Sequence, residues 1–382
     1  MEQRRYPGNS QWYHETQASL CAVTDSSQIS HAAEPEDGFL PGLRKQADAT
    51  LTPLLHGAQP ALRIARDLHQ VLFPPALETS LTHTLTLYDR LSTALTVAQV
   101  TGVQRLCNHY ATRLNPLPGP DSSRESNNRL TQITQYARQL ASQPTLIDAA
   151  ALQRLDEVGL TTPDIITFSQ IIGYVSYQAR VVAGLQALSG MPVRWIPGVT
   201  IPDDAPAERF TQAVEWQPQL PPVELRYANA EQLEVLTFCQ PQPGLQHIAW
   251  LLAHDARALY GWASLNAELE AAGDATDERL AEAVSARING SAGCFAGYQG
   301  ELAAALRIGV EEALQAAGKG SSAMAVINAA AQLTRSPERF SAAHLQPLQD
   351  CGLSSAAIFS LIQKIAFANW NNRLLQTLGT AG

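Results

Sequence analysis

The stretch GLTTPDIITFSQIIGYVSYQARVVAGLQAL, residues 159–188, is the most informative part of the sequence, because a related stretch returns near the end of the chain. The second stretch, GLSSAAIFSLIQKIAFANWNNRLLQTLG, covers residues 352–379. Aligned on their first glycines, the two lie 193 residues apart, since 352 − 159 = 193. The residues that match at this offset include Ile165/Ile358, Gln170/Gln363, Ile172/Ile365, Tyr174/Phe367, Tyr177/Trp370, Arg180/Arg373 and Leu185/Leu378.

The same offset holds upstream of these stretches without a gap. Residues 150–155 (AALQRL) fall on residues 343–348 (AHLQPL), and residues 139–144 (QLASQP) fall on residues 332–337 (QLTRSP). Chance similarity between two helical segments would not keep one register over this length. The sequence therefore predicts two copies of one structural unit.

The unit is predicted to be helical. Segments such as ALRIARDLHQVL, residues 61–72, place their apolar residues on one stripe, and alternating runs typical of strands are almost absent. We expect an all-α protein of two tandem helical domains. The expected boundaries are a polar N-terminal extension at 1–46, a first domain at 47–190, a proline-rich linker at 191–222 and a second domain at 223–382.

Composition excludes several classes of partner. The chain has 382 residues, a net charge of −9 and 16% charged residues, and it has no cluster of Lys and Arg that would bind nucleic acid or an anionic membrane. We expect no secretory signal, because no apolar core follows the first arginines, and no apolar run reaches the ~20 residues needed to span a bilayer. Its five cysteines show no metal-type or disulfide-type pairing, which predicts a cytoplasmic protein.

The repeated segments carry an aromatic stripe at helical spacing. Tyr174 and Tyr177 in one copy match Phe367 and Trp370 in the other. Such a stripe is more typical of a core or a subunit interface than of a ligand site, so we expect a homo-oligomer, a dimer or trimer. The arginines that follow, at 180 and 373, are expected to tie each helix to a carboxylate or to a helix end.

The segment RINGSAGC, residues 287–294, together with GLSSAAIFSLIQKIAFANWNNRLLQTLG, resembles the alkylhydroperoxidase D-like and carboxymuconolactone decarboxylase superfamily. The resemblance covers roughly residues 55–380. It implies an all-helical fold, here in two fused copies, and a peroxidase-like activity. In active members the second cysteine of a Cys-x-x-Cys pair attacks the peroxide, the first resolves the sulfenic acid, and a glutamate and a histidine relay protons.

The resemblance assigns these roles to positions of this chain. The attacking cysteine corresponds to Cys294, the resolving cysteine to Ser291 and the histidine to Tyr298. The position of the family's glutamate is occupied by Arg279. Glu282 follows three residues later and is expected on the same helix face. Three of the four positions depart from the pattern. Cys107 and Tyr110 lie near the equivalent places of the first copy, again without a Cys-x-x-Cys pair.

The local sequence gives Cys294 a rationale that does not depend on the family. Asn289-Gly290 ends one predicted helix, and Ser291 is a good N-cap for the next, which makes Cys294 its third residue. Unpaired N–H groups at a helix start favour a thiolate, so we expect a lowered thiol pKa. Tyr298, four residues on, is expected on the same face as a hydrogen-bond donor, and Glu282 is expected to accept a proton.

Simpler interpretations stand beside these. Cys294 and Tyr298 are also compatible with plain packing residues, Ser291 with a simple cap and Glu282 with a solvated helix face. His247 and His254, seven apart, lack metal-ligand spacing, and we expect neither a metal nor a cofactor.

The resemblance, together with the predicted place of Cys294 at a helix start, implies a thiol-dependent peroxidase-like oxidoreductase with Cys294, Tyr298, Glu282 and Ser291 at its site. Its expected partners are a small hydroperoxide or another small substrate and an external thiol reductant. A non-catalytic ligand-binding or regulatory module on the same fold is the alternative. A decarboxylase-like or isomerase-like activity is a weaker third possibility, because the family's histidine is replaced by Tyr298.

Overall fold

The computed structural model describes residues 37–194, 201–211, 216–271 and 276–381, and these residues are mostly helical. The predicted all-α class is confirmed. Within the described ranges, none of the helices has both the length and the apolar character to cross a membrane. The α-helices are α1 (Leu51–Gly57), α2 (Gln59–Leu72), α3 (Leu87–Val100), α4 (Gln104–Leu114), α5 (Arg124–Ser142), α6 (Ala149–Glu157), α7 (Thr162–Leu188), α8 (Ala230–Cys239), α9 (Gln246–Leu252), α10 (Ala256–Ala271), α11 (Thr276–Asn289), α12 (Ala292–Ala296), α13 (Ala303–Ile308), α14 (Val310–Ala317), α15 (Ser322–Arg335), α16 (Ala342–Asp350) and α17 (Ser355–Leu378).

The internal repeat is visible in the element boundaries. Helices α6 and α16 begin and end 193 residues apart, and so do the short 3₁₀ helices that precede them, at 144–146 and 337–339. The first residues of α7 and α17, Thr162 and Ser355, and the last residues of α5 and α15, Ser142 and Arg335, keep the same offset. The predicted repeat is therefore a repeat of structure.

Helices α7 and α17 start where local caps dictate. The Thr161 hydroxyl accepts from the Asp164 N–H while the Asp164 carboxylate accepts from the Thr161 N–H, which forms a capping box. Ser354 caps α17 by accepting from the N–H of Ala357. Beyond these caps both helices are buried around most of their circumference, as expected of a central helix pair.

The two central helices pack against each other in antiparallel orientation. Gly173, in the first half of α7, lies against Trp370 in the second half of α17, while Gly184 lies against Ile362. A Cβ added at Gly173 would stand 1.9 Å from Cδ1 of Trp370, so the missing side chain makes room for the indole. The close crossing is thus built from glycine on one helix and a large side chain on the other.

The aromatic stripe forms the centre of this contact. Tyr174, Tyr177, Phe367 and Trp370 are all buried, and Trp370 contacts the other three rings at centroid distances of 5.7–6.0 Å. Of the two predicted alternatives, a core or a subunit interface, the stripe forms part of the core. Because these rings pack within one chain, they are not available as the outer contact of an oligomer.

Tyr177 and Tyr174 differ in how their hydroxyl groups are satisfied, which gives a paired prediction. The Tyr177 hydroxyl is buried without a hydrogen-bond partner among the described residues, whereas the Tyr174 hydroxyl donates to the Ala65 carbonyl at 2.9 Å. Tyr177→Phe is expected to raise the free energy of unfolding by about 1 kcal/mol, because it removes an unpaired polar group. Tyr174→Phe is expected to lower it by a similar amount. Urea unfolding of both variants tests the pair, and a loss of stability in Tyr177→Phe would contradict it.

Two arginines connect the repeats symmetrically. Nη2 of Arg180 donates to the Thr334 carbonyl at 2.7 Å, and Nη2 of Arg373 donates to the Ala141 carbonyl at 2.7 Å. Both the donors and the acceptors are 193 residues apart, so the two bonds are related by the repeat. Ala141 and Thr334 lie in the last turns of α5 and α15, where carbonyls lack helical partners. The predicted tie to a helix end is confirmed, and each arginine makes it to the opposite copy.

The predicted division into two domains is not confirmed. Residues from Asp37 onward form one compact unit, in which the two copies share the central helix pair. Of the predicted extension at 1–46, residues 1–36 lie outside the described residues. Residues 37–46 differ from that expectation, because Phe39, Leu40 and Leu43 are fully buried in the core.

The predicted linker at 191–222 is described in three pieces, at 191–194, 201–211 and 216–222. It contributes β1 (Trp216–Pro218), which pairs antiparallel with β2 (Gly379–Ala381) at the end of α17. Ala205 and Phe210 are buried, so these parts pack on the helical core.

Candidate functional site around Cys294

A tight turn brings the predicted site residues of α11 and α12 into neighbouring positions. Helix α11 ends at Asn289, as predicted, and Gly290 adopts a φ of +80°. The Ser291 N–H then donates to the Ala286 carbonyl at 3.0 Å, which is the six-residue bond of a Schellman motif. A Cβ on Gly290 would come within 2.4 Å of the Thr145 methyl carbon, so both the φ and the space require glycine.

Helix α12 begins directly after this turn, and it is only five residues long. Ser291 occupies the N-cap position and Cys294 is the third helical residue, as predicted. The Ser291 side chain makes no cap hydrogen bond to the backbone, but it lies near enough to the Cys294 thiol to lower its pKa in part. Ser291 is buried, and Cys294 is partly buried.

The expected depression of the Cys294 pKa is wrong. Burial raises the pKa of this thiol to about 11, the neighbouring Ser291 hydroxyl lowers it only in part, and the nearby charge of Glu282 raises it further. The effect of desolvation on the pKa exceeds the effect of the helix dipole, because α12 has little more than one turn and its dipole is small.

Glu282 lies on α11 close enough to Cys294 for its charge to act on the thiol. Burial raises the pKa of Glu282 to about 7, and the neighbouring carboxylates of Glu270 and Glu278 raise it too. Lys364 opposes this shift, with Nζ 3.8 Å from Oε1 of Glu282. The predicted proton acceptor therefore changes its charge near neutral pH, which suits a general acid–base group.

Lys364 completes the site from α17. Its side chain is 4% exposed, and Nζ also donates to Oε1 of the more exposed Glu270 at 2.7 Å. Sequence analysis missed this residue. A lysine within the mostly apolar stretch IFSLIQKIAF, residues 358–367, was the available signal, because a charge at such a place needs buried partners.

Glu278 is held on the same side of α11. Its Oε1 accepts from the Ser360 hydroxyl at 2.7 Å, while its Oε2 is buried without a hydrogen-bond partner among the described residues. Glu278 and Glu282 thus form a partly buried pair of carboxylates that contacts α17: Ser360 donates to Glu278, and Lys364 lies near Glu282. This contradicts the interpretation of α11 as a wholly solvated face at these positions.

Tyr298 is not placed as expected. Helix α12 ends at Ala296 with Gly297 as its cap, so Tyr298 lies beyond the helix and shares no helical face with Cys294. Its ring packs against Gly300. Burial raises the pKa of this phenol. A glycine directly after the short helix was the sequence signal against the expected i,i+4 relation.

The first copy contains a different arrangement. Cys107 on α4 is partly buried, and burial raises the pKa of its thiol to about 11. Tyr110 is fully buried and donates to Oε1 of Gln178. Nearby, Arg113 lies 2.8 Å from Nε2 of the buried His69, whose pKa is lowered by burial and by the Arg113 charge.

The raised pKa of Glu282 predicts a pH-dependent effect on stability. Between pH 4.5 and 7 the folded protein holds a proton on Glu282 that the unfolded chain releases, so this group's contribution falls as pH rises through that range. Glu282→Gln is expected to be more stable than the parent by about 1–2 kcal/mol at pH 8, a value reduced for the solvent that reaches this one-third-exposed side chain. Near pH 4.5 the difference is expected to vanish.

Urea unfolding at both pH values measures this difference. The control is Glu234→Gln, the same change at an exposed position of α8, which is expected to show no pH-dependent difference. Equal stability of parent and Glu282→Gln at pH 8 would contradict the prediction.

Comparison of the chain with family models, curated proteins and solved structures finds no match.

Proposed function

We propose that the protein is a thiol-dependent, peroxidase-like oxidoreductase of the alkylhydroperoxidase D-like type, with Cys294 as its nucleophile. The arrangement that carries this proposal is the partly buried residue Cys294, whose thiol lies near Ser291 and close enough to Glu282 for the charge of that carboxylate to act on it. A nucleophile, a hydrogen-bonding group and a proton acceptor are the parts that thiol chemistry on a peroxide requires.

In the proposed reaction Glu282, as carboxylate, accepts the proton of the Cys294 thiol. The sulfur attacks the terminal oxygen of a hydroperoxide, so an S–O bond forms while the O–O bond breaks. The departing alkoxide takes the proton back from Glu282, which yields an alcohol and a sulfenic acid on Cys294. Lys364 stabilises the carboxylate form of Glu282 at the start of this cycle.

An external thiol returns the enzyme to its starting state. Because Ser291 stands at the resolving position, the sulfenic acid condenses with one molecule of external thiol, releasing water and forming a mixed disulfide. A second molecule then releases the Cys294 thiol and the oxidised reductant. The substrate is a small hydroperoxide or another small oxidant.

The pKa values set the expected rate and pH dependence. Proton transfer from a thiol of pKa about 11 to a carboxylate of pKa about 7 is unfavourable by about four units, or about 5 kcal/mol. We therefore expect a slow peroxidase whose rate rises with pH through 7 as Glu282 ionises.

Mass spectrometry of the reduced protein after brief exposure to hydroperoxide, with a sulfenic-acid trap present, tests the proposal. Trapping is expected at Cys294, faster than at Cys107, Cys239 or Cys351. Glu282→Gln is expected to slow it at least tenfold at pH 8, while Glu234→Gln leaves it unchanged. If Cys294 reacts no faster than the other cysteines, the peroxidase proposal is wrong.

The raised pKa of Cys294 favours a second candidate, a ligand-binding or regulatory module without catalysis. The variant Cys294→Ser separates the two. A peroxidase loses all peroxide-dependent trapping at this site, whereas a binding module keeps the phenotype of the parent protein in cells.

The proposal extends to location and assembly. We propose a cytoplasmic protein, supported by four described cysteines that are free thiols. We also propose a homo-oligomer, a dimer or trimer, as the resemblance implies. Multi-angle light scattering tests the assembly, and a monomer at all concentrations would contradict it.

A further inference from the structure

A small cavity lies where the two copies of the repeat meet. Its volume is about 60 Å³, several times the ~15 Å³ that one water requires. Its lining includes four pairs of residues 193 apart: Ala141 with Thr334, Ser142 with Arg335, Pro144 with Pro337, and Arg180 with Arg373. The cavity therefore sits on the axis that relates the copies.

The two arginines of this cavity have unused donors. A guanidinium carries five N–H groups. Arg180 makes two hydrogen bonds, to the Ser176 and Thr334 carbonyls, and Arg373 uses the same two nitrogens, Nη1 and Nη2. Nε of each arginine is buried and has no hydrogen-bond partner among the described residues.

The positive charge of the pair is not neutralised. Both arginines are at most 2% exposed, and within the described ranges neither has a carboxylate oxygen within 4.0 Å. Burial lowers the pKa of Arg180, and the nearby charge of Arg373 lowers it further. Burial lowers the pKa of Arg373 to about 9, which still leaves that side chain charged at neutral pH. Two buried cations that repel each other favour a bound anion.

The nearest acidic groups are engaged elsewhere or exposed. Asp204 pairs with Arg335, Glu338 lies 3.4 Å from Arg339, and Asp203 is an exposed residue at the edge of the cavity. Glu338 does act on Arg180, but from beyond ion-pair distance. No carboxylate of the described chain thus takes the place of a ligand.

We propose that this cavity binds a tetrahedral oxyanion, phosphate or sulfate, between Arg180 and Arg373. A tetrahedral oxyanion has a two-fold axis that exchanges one pair of its oxygens with the other pair. The two arginines are related in the same way, so each guanidinium can donate hydrogen bonds to one pair. A planar carboxylate offers only one such pair. Guanidinium groups bind paired oxygens bidentately, which adds geometric selectivity to charge. The site is separate from Cys294 and does not depend on the peroxidase proposal.

Isothermal titration calorimetry of the full chain with inorganic phosphate and with sulfate, at constant ionic strength in chloride, tests the site. Saturable binding of one anion per chain is expected, at least tenfold tighter than that of acetate. O-phosphoserine is the arm that separates a free anion from a phosphate ester. If only the inorganic anions bind, the ligand is the free ion, and if phosphoserine binds as well, the site accepts the phosphate end of a larger molecule.

Two kinds of variant assign the binding to this cavity. Arg180→Lys and Arg373→Lys keep the charge but lose the paired donors, so phosphate is expected to bind at least tenfold more weakly, about 1.4 kcal/mol. Asp203→Lys changes an exposed side chain and leaves the core intact. It is expected to tighten phosphate binding several-fold at low salt, whereas Asp67→Lys on α2 is not.

Absence of saturable phosphate and sulfate binding would overturn the proposal. So would binding that Asp203→Lys and Asp67→Lys change equally, because the anion would then lie elsewhere on the protein. The second comparison decides the question even if the arginine variants fail to fold.

Discussion

Trp370→Ala is expected to lower the free energy of unfolding by about 3–5 kcal/mol, the range for removal of a fully buried large aromatic side chain. Trp370 is 0% exposed and contacts three other rings, so its loss leaves a cavity at the crossing of α7 and α17. The substitution also leaves Oε1 of Gln170 without the indole N–H, which it accepts at 3.0 Å. A buried amide without its partner adds to the loss.

Urea unfolding followed by far-ultraviolet circular dichroism measures this effect. Trp370→Phe separates its two parts, because phenylalanine keeps a ring in the core and removes the N–H. We expect this variant to lose about 1–2 kcal/mol. A loss below about 1 kcal/mol in Trp370→Ala would show that the aromatic crossing does not hold the two copies together.

Gly173→Ala is expected to lower the free energy of unfolding by about 1–3 kcal/mol, although alanine normally stabilises a helix by nearly 1 kcal/mol relative to glycine. The sign changes because the new methyl group would lie 1.9 Å from Cδ1 and 2.3 Å from Nε1 of Trp370. The indole is enclosed by the other rings and cannot move away without repacking them.

Gly57→Ala is the matched control. Gly57 ends α1, and nothing lies within 4 Å of the position of its added Cβ. This variant is expected to be neutral or slightly more stable. In the double variant Gly173→Ala with Trp370→Ala, the methyl group has room, so the combined loss is expected to be smaller than the sum. Additive losses would contradict the proposed steric conflict.

The helices and the repeat could be predicted because their signals are local. Thr161 and Ser354 cap α7 and α17 through bonds that span three residues, and Gly290 ends α11 through its own backbone angle. Each of these signals can be recognised within a few consecutive residues, without knowledge of the rest of the chain. The position of Cys294 as third residue of its helix followed from the same local rules.

The features that were missed depend on residues far apart in the chain. The burial of Phe39 and Leu40, close to a polar segment, is decided by α7, which lies more than a hundred residues away. The Cys294 pKa is set by desolvation, which local sequence does not reveal, and it outweighs a dipole that was predictable. Lys364 reaches Glu282 only because α17 packs on α11.

The symmetric bonds of Arg180 and Arg373 give the chain the interface of an isologous dimer within one polypeptide. In a dimer of identical subunits, every substitution near the axis occurs twice, and a buried charge introduced once would have to be accommodated on both sides. Fusion of the two copies removes that constraint. Lys364 illustrates the result, since the position 193 residues earlier is Ile171, fully buried and apolar. A chain that carries both copies can thus place an ionisable group in one half and keep an apolar residue at the matching position of the other.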